Sequence, residues 1–193
     1  MNIFVLHWKT RKAARWHCDK HVVKMILETT QMLYTAHWVK AYPSLRQYKS
    51  PIALSKYQKT LDVPEHMLTA PKCIKTYQIG YRPCHVGHPC TKWVRLTSGN
   101  YMWLISLGLE LCKEFTHRFD KIHSCQKHLE WLKAHLPPNI KPYPRTPFAI
   151  AMGDEYKINN NAIKSYRNFY NTSKKERGLL KYTKRHPPHW LKL

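Results

Sequence analysis

The feature that most constrains this chain is an apolar stripe of helical period near its start. Between Arg11 and Trp38, small or apolar residues recur at Ala14, Cys18, Val22, Met25, Ile26, Thr29, Leu33 and Ala36. That spacing follows the helical repeat of about 3.6 residues and writes one buried face onto one long helix. Thr10 stands where an N-cap belongs, and Pro43 sets the latest possible end. The same period returns from Ser98 to His117, through Tyr101, Met102, Leu104, Ile105, Leu109, Cys112 and Phe115. A third run from Ser124 to His135 turns Leu129 and Leu132 inward, and Pro137-Pro138 ends it.

Shorter helices fit between these. Ser50-Pro51 suits an N-cap followed by a first-turn proline, opening a helix through Lys59. His88-Pro89 opens another through Arg95, and Asn160 or Asn161 caps a last one reaching about Asn171. Pro64, Pro71, Gly80 and Pro83 interrupt the chain repeatedly, and residues 136–148 form a proline-rich, extended connection. No segment alternates as a strand does. The expectation is a mostly α protein: a single compact helical domain with a short N-terminal extended segment and long irregular, proline-rich connections. It covers residues 1–172, and a basic tail follows over 173–193.

Charge narrows the function. Lys and Arg total 33 against 11 acidic residues, a net charge of +22. Self-repulsion on that scale opposes compaction unless a polyanion neutralises it, which points to nucleic acid. No run approaches the roughly 18 apolar residues of a membrane span, and nothing makes a long basic helix with a uniformly apolar face. The opening Met1–Leu6 is apolar but lacks the flanks of a signal peptide, and reads as a short buried strand or a tuck. The scattered cysteines, Cys18 and Cys112 among them on helical stripes, suit a reduced, intracellular protein without a disulfide framework.

One stretch of the first helix carries a candidate site. His17, His21, Lys24, Glu28 and Gln31 fall within roughly 80° of arc, beside the apolar stripe at Ala14 and Met25. A polar row bordering a buried face is where cleft residues sit. Carboxylates are scarce here, so Glu28 stands out as a general acid/base or as a stabiliser of a positive intermediate. An i, i+4 ion pair of Lys24 with Glu28 is the plainer alternative. His17 and His21 share the spacing of helical metal ligands, and Cys84, His85, His88 and Cys90 add further donors. Their spacing matches no standard zinc pattern; capping, phosphate contact and packing account for them, and no metal or cofactor is expected.

Asp19-Lys20-His21-Val22, with Glu28 nine residues after Asp19, resembles the first-helix motif of the phage pyrimidine-dimer DNA glycosylase/AP-lyase family. Gly80-Tyr81 and Gly87-His88-Pro89 are similar to that superfamily's glycine-and-histidine loop. About half the chain is similar to a branch of phage- and large-virus-encoded proteins given the same label, over 1–6, 17–37, 88–95, 100–121, 147–157 and 187–190. The resemblance implies an N-terminal α-amine, here that of Met1, attacking the sugar C1′ to form a Schiff base. It implies Glu28 as the catalytic glutamate, with His17, Asp19, His21 and Lys24 beside it. The family's nucleophile is exposed by removal of the initiator methionine before a small residue, whereas here Asn2 follows Met1. Lys20 or Lys24 is the alternative amine if its pKa is lowered. Asp154-Glu155, in another family-like segment, is a candidate second source of carboxylate for the cleft.

Phosphate contacts are expected from Lys20, His88, Lys92, Arg95 and Arg167, and from Lys174, Lys175, Arg177, Lys184 and Arg185 in the tail. Aromatic residues interleave with basic ones at Lys92-Trp93-Val94-Arg95, Tyr166-Arg167 and His189-Trp190, where some can stack on bases. The expected function is action on the bases of double-stranded DNA, with no membrane and no obligate protein partner. The alternative is a non-catalytic, strongly basic viral DNA-binding or genome-packaging protein on the same scaffold. The charge, Asn2, and the His7, Trp8 and Lys9 that replace the branch's acidic residues and proline favour that alternative. An RNA-binding module ranks below both, since no aromatic RNP-like strand or GXXG loop occurs.

Overall fold

The periodic stretches become helices in the computed structural model, which describes residues 1–48 and 50–192. The α-helices are α1 (Thr10–Trp16), α2 (Asp19–Ala41), α3 (Pro51–Gln58), α4 (Pro89–Val94), α5 (Ser98–Phe119), α6 (Gln126–Ala134) and α7 (Ala162–Phe169). A π-helical turn over Tyr170–Lys174 continues α7. Among the described residues there is no β-strand, only an isolated antiparallel bridge between Lys72 and Ile79. The protein is a single, mostly α domain.

The core lies where α2 meets α5, with α1, α4 and α6 closing around the pair. Leu33, Tyr34 and Trp38 of α2 and Tyr101, Leu104 and Leu111 of α5 are fully buried. Gly108 allows the close approach: a Cβ there would lie 2.9 Å from Thr29 and 3.0 Å from Leu129. The proline-rich connection supplies acceptors that the first turn of α5 cannot find within its own helix. Ser98 N–H donates to Lys141 O (2.8 Å) and Gly99 N–H to Tyr143 O (3.1 Å). Thr97 Oγ1 accepts from Asn100 N at 3.1 Å and caps the helix.

The long helix expected over Arg11–Trp38 is two helices. His17 (ψ 136°) and Cys18 (ψ 159°) are extended and separate α1 from α2. Tertiary contacts hold the break. Arg118 of α5 donates to Arg15 O at the end of α1 (3.0 Å) and to Asp19 Oδ1 at the start of α2 (2.9 Å). Asp19 N–H donates to Lys181 O at 2.8 Å. Asp19 thereby opens a helix, where a carboxylate meets the positive end of the dipole.

Residues 3–6 thread through the core without pairing as a strand, so the opening segment is a tuck. The segment after Ser173 runs back over α1, α2 and α5. Thr183 binds Asp19, Arg185 binds Glu114, Trp190 packs on Trp16 and Tyr170, and Leu191 is buried. All six cysteines are free, five of them buried.

Candidate functional site: an amine–carboxylate cleft

The tucked N-terminus and α2 bring Met1 and Glu28 together. Glu28 is 8% exposed. Its Oε2 accepts from Asn2 N–H at 2.8 Å and lies 3.8 Å from the Met1 α-nitrogen. Its Oε1 lies 3.4 Å from Lys24 Nζ, so the i, i+4 pair is present as well. One buried carboxylate therefore faces two amines, and Lys24, 69% exposed, stands toward solvent.

Asn2 fixes that geometry. Its Nδ2 donates to Ala151 O (2.8 Å), and its Oδ1 accepts from Tyr166 Oη (2.7 Å) and Ile3 N–H (2.7 Å). The Cys90 thiol donates to the same oxygen at 3.5 Å. Thr91 Oγ1 donates to the Met1 sulfur at 3.5 Å, so the first two residues are tied to α4, α7 and the 149–151 segment. The anchoring role of Asn2 leaves one trace in the sequence, an asparagine that interrupts an otherwise apolar opening.

These groups border a cavity of about 860 Å3. Met1, Lys20, His21, Lys24 and Glu28 line one side, and Lys174, Arg177 and Lys181 the other. That volume is within the usual range for a ligand site. Burial holds the Lys174 ammonium below its ordinary pKa; Cys18 opposes this, and the charges of Arg177, Lys24 and Lys20 add to it.

His21 is buried, stacks on Phe4 at 4.0 Å, and shares a 2.6 Å hydrogen bond with Tyr170 Oη through Nδ1. Burial pushes its pKa far down, and the charges of His17, Lys174 and Lys24 push it further, so it is a neutral imidazole. His17 lies behind it, wholly buried, with Nδ1 on Ala13 O at 2.7 Å and Nε2 unpartnered. Burial lowers its pKa to about 4. The break between α1 and α2 takes His17 out of the polar row, and it does not line the cavity.

Asp19 edges the cavity but is occupied. Thr183 donates to it from N–H (3.0 Å) and Oγ1 (2.7 Å), and Arg118 from Nη1 (2.9 Å). Burial pushes its pKa up, yet the Thr183 and Arg118 donors outweigh burial and hold the carboxyl below its usual range. The Asp154-Glu155 segment supplies no carboxylate to the cavity: Asp154 is 95% exposed and pairs with Lys157 at 2.6 Å. The nearby Ala151 carbonyl, which holds Asn2, is what that region contributes.

The expected phosphate contacts divide. Lys20, Lys174 and Arg177 line the Glu28 cavity, whereas His88, Lys92 and Arg95 line another of about 730 Å3. Lys175 is exposed outside both. Three others have internal partners: Arg167 with Leu6 O (3.0 Å) and the Trp16 and Trp190 rings, Lys184 with Asp120 (2.6 Å), Arg185 with Glu114 (2.8 Å). His88 Nδ1 caps Cys90 N–H at 3.2 Å. Among the described residues no group of three or more His, Cys, Asp or Glu side chains is arranged to hold a metal ion.

Fold and site together define an all-α protein with a cationic cleft built on an amine–carboxylate pair. Compared with known proteins, the chain matches no family model, no curated protein and no solved structure. No helix among the described residues is long and apolar enough to cross a membrane.

Proposed function

We propose that this protein acts on DNA at damaged or abasic nucleotides, forming a Schiff base between an amine of the Glu28 cleft and the sugar C1′. The observation that carries the reading is that Glu28 has the Met1 nitrogen at 3.8 Å and Lys24 Nζ at 3.4 Å on a cationic cavity. Glu28 takes a proton from the ammonium beside it, the freed amine adds to the C1′ aldehyde of an opened abasic sugar, and Glu28 returns the proton as the carbinolamine loses water. The resulting iminium cation sits beside the carboxylate, which stabilises it more than it stabilises the neutral sugar. A base then removes the acidified C2′ proton, and the 3′-phosphate leaves by elimination. Lys20, Lys174 and Arg177 are suited to holding the flanking phosphates. The net charge of +22 supports a polyanionic partner independently. The first-helix resemblance agrees with this chemistry.

The test is borohydride trapping on duplexes bearing an abasic site or a pyrimidine dimer. The expected result is a covalent protein–DNA adduct that Glu28→Gln reduces at least about a hundredfold, the usual scale for a proton-transferring side chain. Peptide mapping of the adduct names the amine, Met1 or Lys24. Tight, salt-sensitive binding with no adduct on any lesion overturns the reading and leaves the non-catalytic, DNA-packaging alternative.

A further inference from the structure

Two half-buried arginines behind α2 contrast with those that pair with acids. Arg118 and Arg185 meet carboxylates. Arg82 and Arg95 meet none among the described residues and are held by main-chain carbonyls. Arg82 Nη1 donates to Leu61 O (2.9 Å) and Gln58 O (3.1 Å), and its guanidinium lies 5.0 Å over the Trp38 ring. Arg95 Nη1 donates to Val86 O (2.7 Å) and more weakly to Thr91 O (3.4 Å). Each guanidinium is fixed in place with its charge uncompensated, and its remaining N–H groups have no protein acceptor among the described residues.

Both arginines border cavities that share Gln58, Pro83 and Cys84 as a common wall. Arg82 lines one of about 740 Å3 with Lys24 and Lys75, and Arg95 lines the 730 Å3 cavity with Arg46 and Lys92. Among the described residues no Asp or Glu lines either of them. The Gln58 Oε1 on the shared wall is buried without a hydrogen-bond partner, an acceptor that lacks a donor. A phosphodiester meets the arginines but, having no P–OH, cannot donate to Gln58. A nucleotide brings both anionic oxygens and the N–H donors of a base. Lys24 lines the first of these cavities and the Glu28 cleft alike, so the two sites adjoin.

We propose that the paired cavities at Gln58, Arg82 and Arg95 form a second nucleotide subsite, which takes a phosphodiester and base of the strand whose neighbouring nucleotide lies at Glu28. The inference rests on the reading that DNA occupies the Glu28 cleft. α2 is then a ridge that the strand crosses, with Lys174 and Arg177 on one flank and Arg82 and Arg95 on the other.

The test measures equilibrium binding of a lesion-free single strand against salt, for the wild type, for Arg46→Ala/Lys92→Ala, and for Lys133→Ala/Arg145→Ala as a control. The altered side chains are exposed and none lines the Glu28 cavity, and unchanged thermal midpoints confirm folding. The subsite variant is expected to lower the slope of log K against log salt by about 0.7 to 1.4, one or two single-strand phosphates, while the control leaves it unchanged. A deoxynucleoside monophosphate is expected to compete with the strand about tenfold better than inorganic phosphate, a ratio of about 1.4 kcal/mol. Gln58→Leu removes that ratio if the amide reads the base. Equal slopes in the two double variants overturn the subsite. Equal competition by phosphate and nucleotide overturns its base-reading half and leaves an anion site. Because no lesion is used, failure of trapping does not decide this result, and trapping with an unchanged slope overturns the subsite alone.

Discussion

Glu28 and Glu114 are both nearly buried carboxylates in a chain rich in cations, and they have opposite surroundings. Glu114 is 4% exposed and accepts from Arg118 Nε (2.8 Å) and from Arg185 Nε (2.8 Å) and Nη2 (3.0 Å). Arg118 spends its other nitrogens on Asp19 and Arg15 O, so each of its nitrogens has an acceptor. A neighbouring cavity there measures about 130 Å3. Glu28 meets flexible amines rather than guanidiniums, at longer distances, on a cavity of about 860 Å3. Arginine's rigid fork locks a carboxylate; an amine leaves one able to exchange protons. The first arrangement ties α1, α2, α5 and the C-terminal segment together, and the second leaves reactive groups facing a cleft.

The largest effect that sets the two regions apart is on stability. Arg118→Met leaves Asp19 and Glu114 without their shared partner, and the expected loss is about 3–5 kcal/mol by urea denaturation. Glu28→Gln is expected to cost under about 1 kcal/mol in the same measurement, because it keeps an acceptor for Asn2 N–H. Equal losses would mean that Glu28 is as structural as Glu114. Next in size is the effect of the same Glu28→Gln change on adduct formation, about a hundredfold or more, against a small effect of Glu110→Gln, whose carboxylate pairs with Lys113 and does not line the Glu28 cavity.

Acid separates the regions by pH window. His17 and His21 have folded pKa values well below the unfolded 6.5. They favour folding fully above about pH 6.5, and that contribution is lost as pH falls from there toward the folded values. For Asp19 and Glu114, burial raises the pKa, but the Thr183, Arg118 and Arg185 donors outweigh it, so both lie below 3.8 and 4.5 respectively. Their contribution is full above those values and lost as pH falls below them. Stability measured against pH should therefore begin to decline below about pH 6.5, an upper stage carried by the histidines alone, and steepen below about 4.5, a lower stage where the carboxylates add, each proton contributing a slope of up to about 1.4 kcal/mol per pH unit. His21→Asn should flatten the upper stage and Asp19→Asn the lower; an upper stage unchanged in His21→Asn would show that the imidazole is not neutral. The smallest effect is that of Lys24→Ala, under about 0.5 kcal/mol on stability because the ammonium is solvent-exposed. Loss of the adduct in that variant would name Lys24, rather than Met1, as the amine.

Local pattern in the chain marks most of the helices and the chemistry available to them. The stripe from Ala14 to Ala36 gave a buried face, Pro51 and Pro89 marked helix starts, and Glu28 stood out because acids are few. Local periodicity carries this information because a helix hydrogen-bonds within itself. The rest was decided by contacts between distant residues. His17 shares the helical spacing of His21 and Lys24, yet Arg118 and the Lys181 carbonyl, some hundred and more residues away, hold the break that removes it from the row. Asp19 reads as a cleft acid and is a ligand of Thr183. Asn2 reads as an obstacle to exposing an amine, and through Tyr166 and Ala151 it is the anchor of the N-terminus. The amine–carboxylate pair itself depends on a tuck of six apolar residues whose depth no local pattern records. The net charge pointed to a polyanion; only the tertiary structure separated the arginines neutralised by Glu114 and Asp19 from those left uncompensated at the cavities.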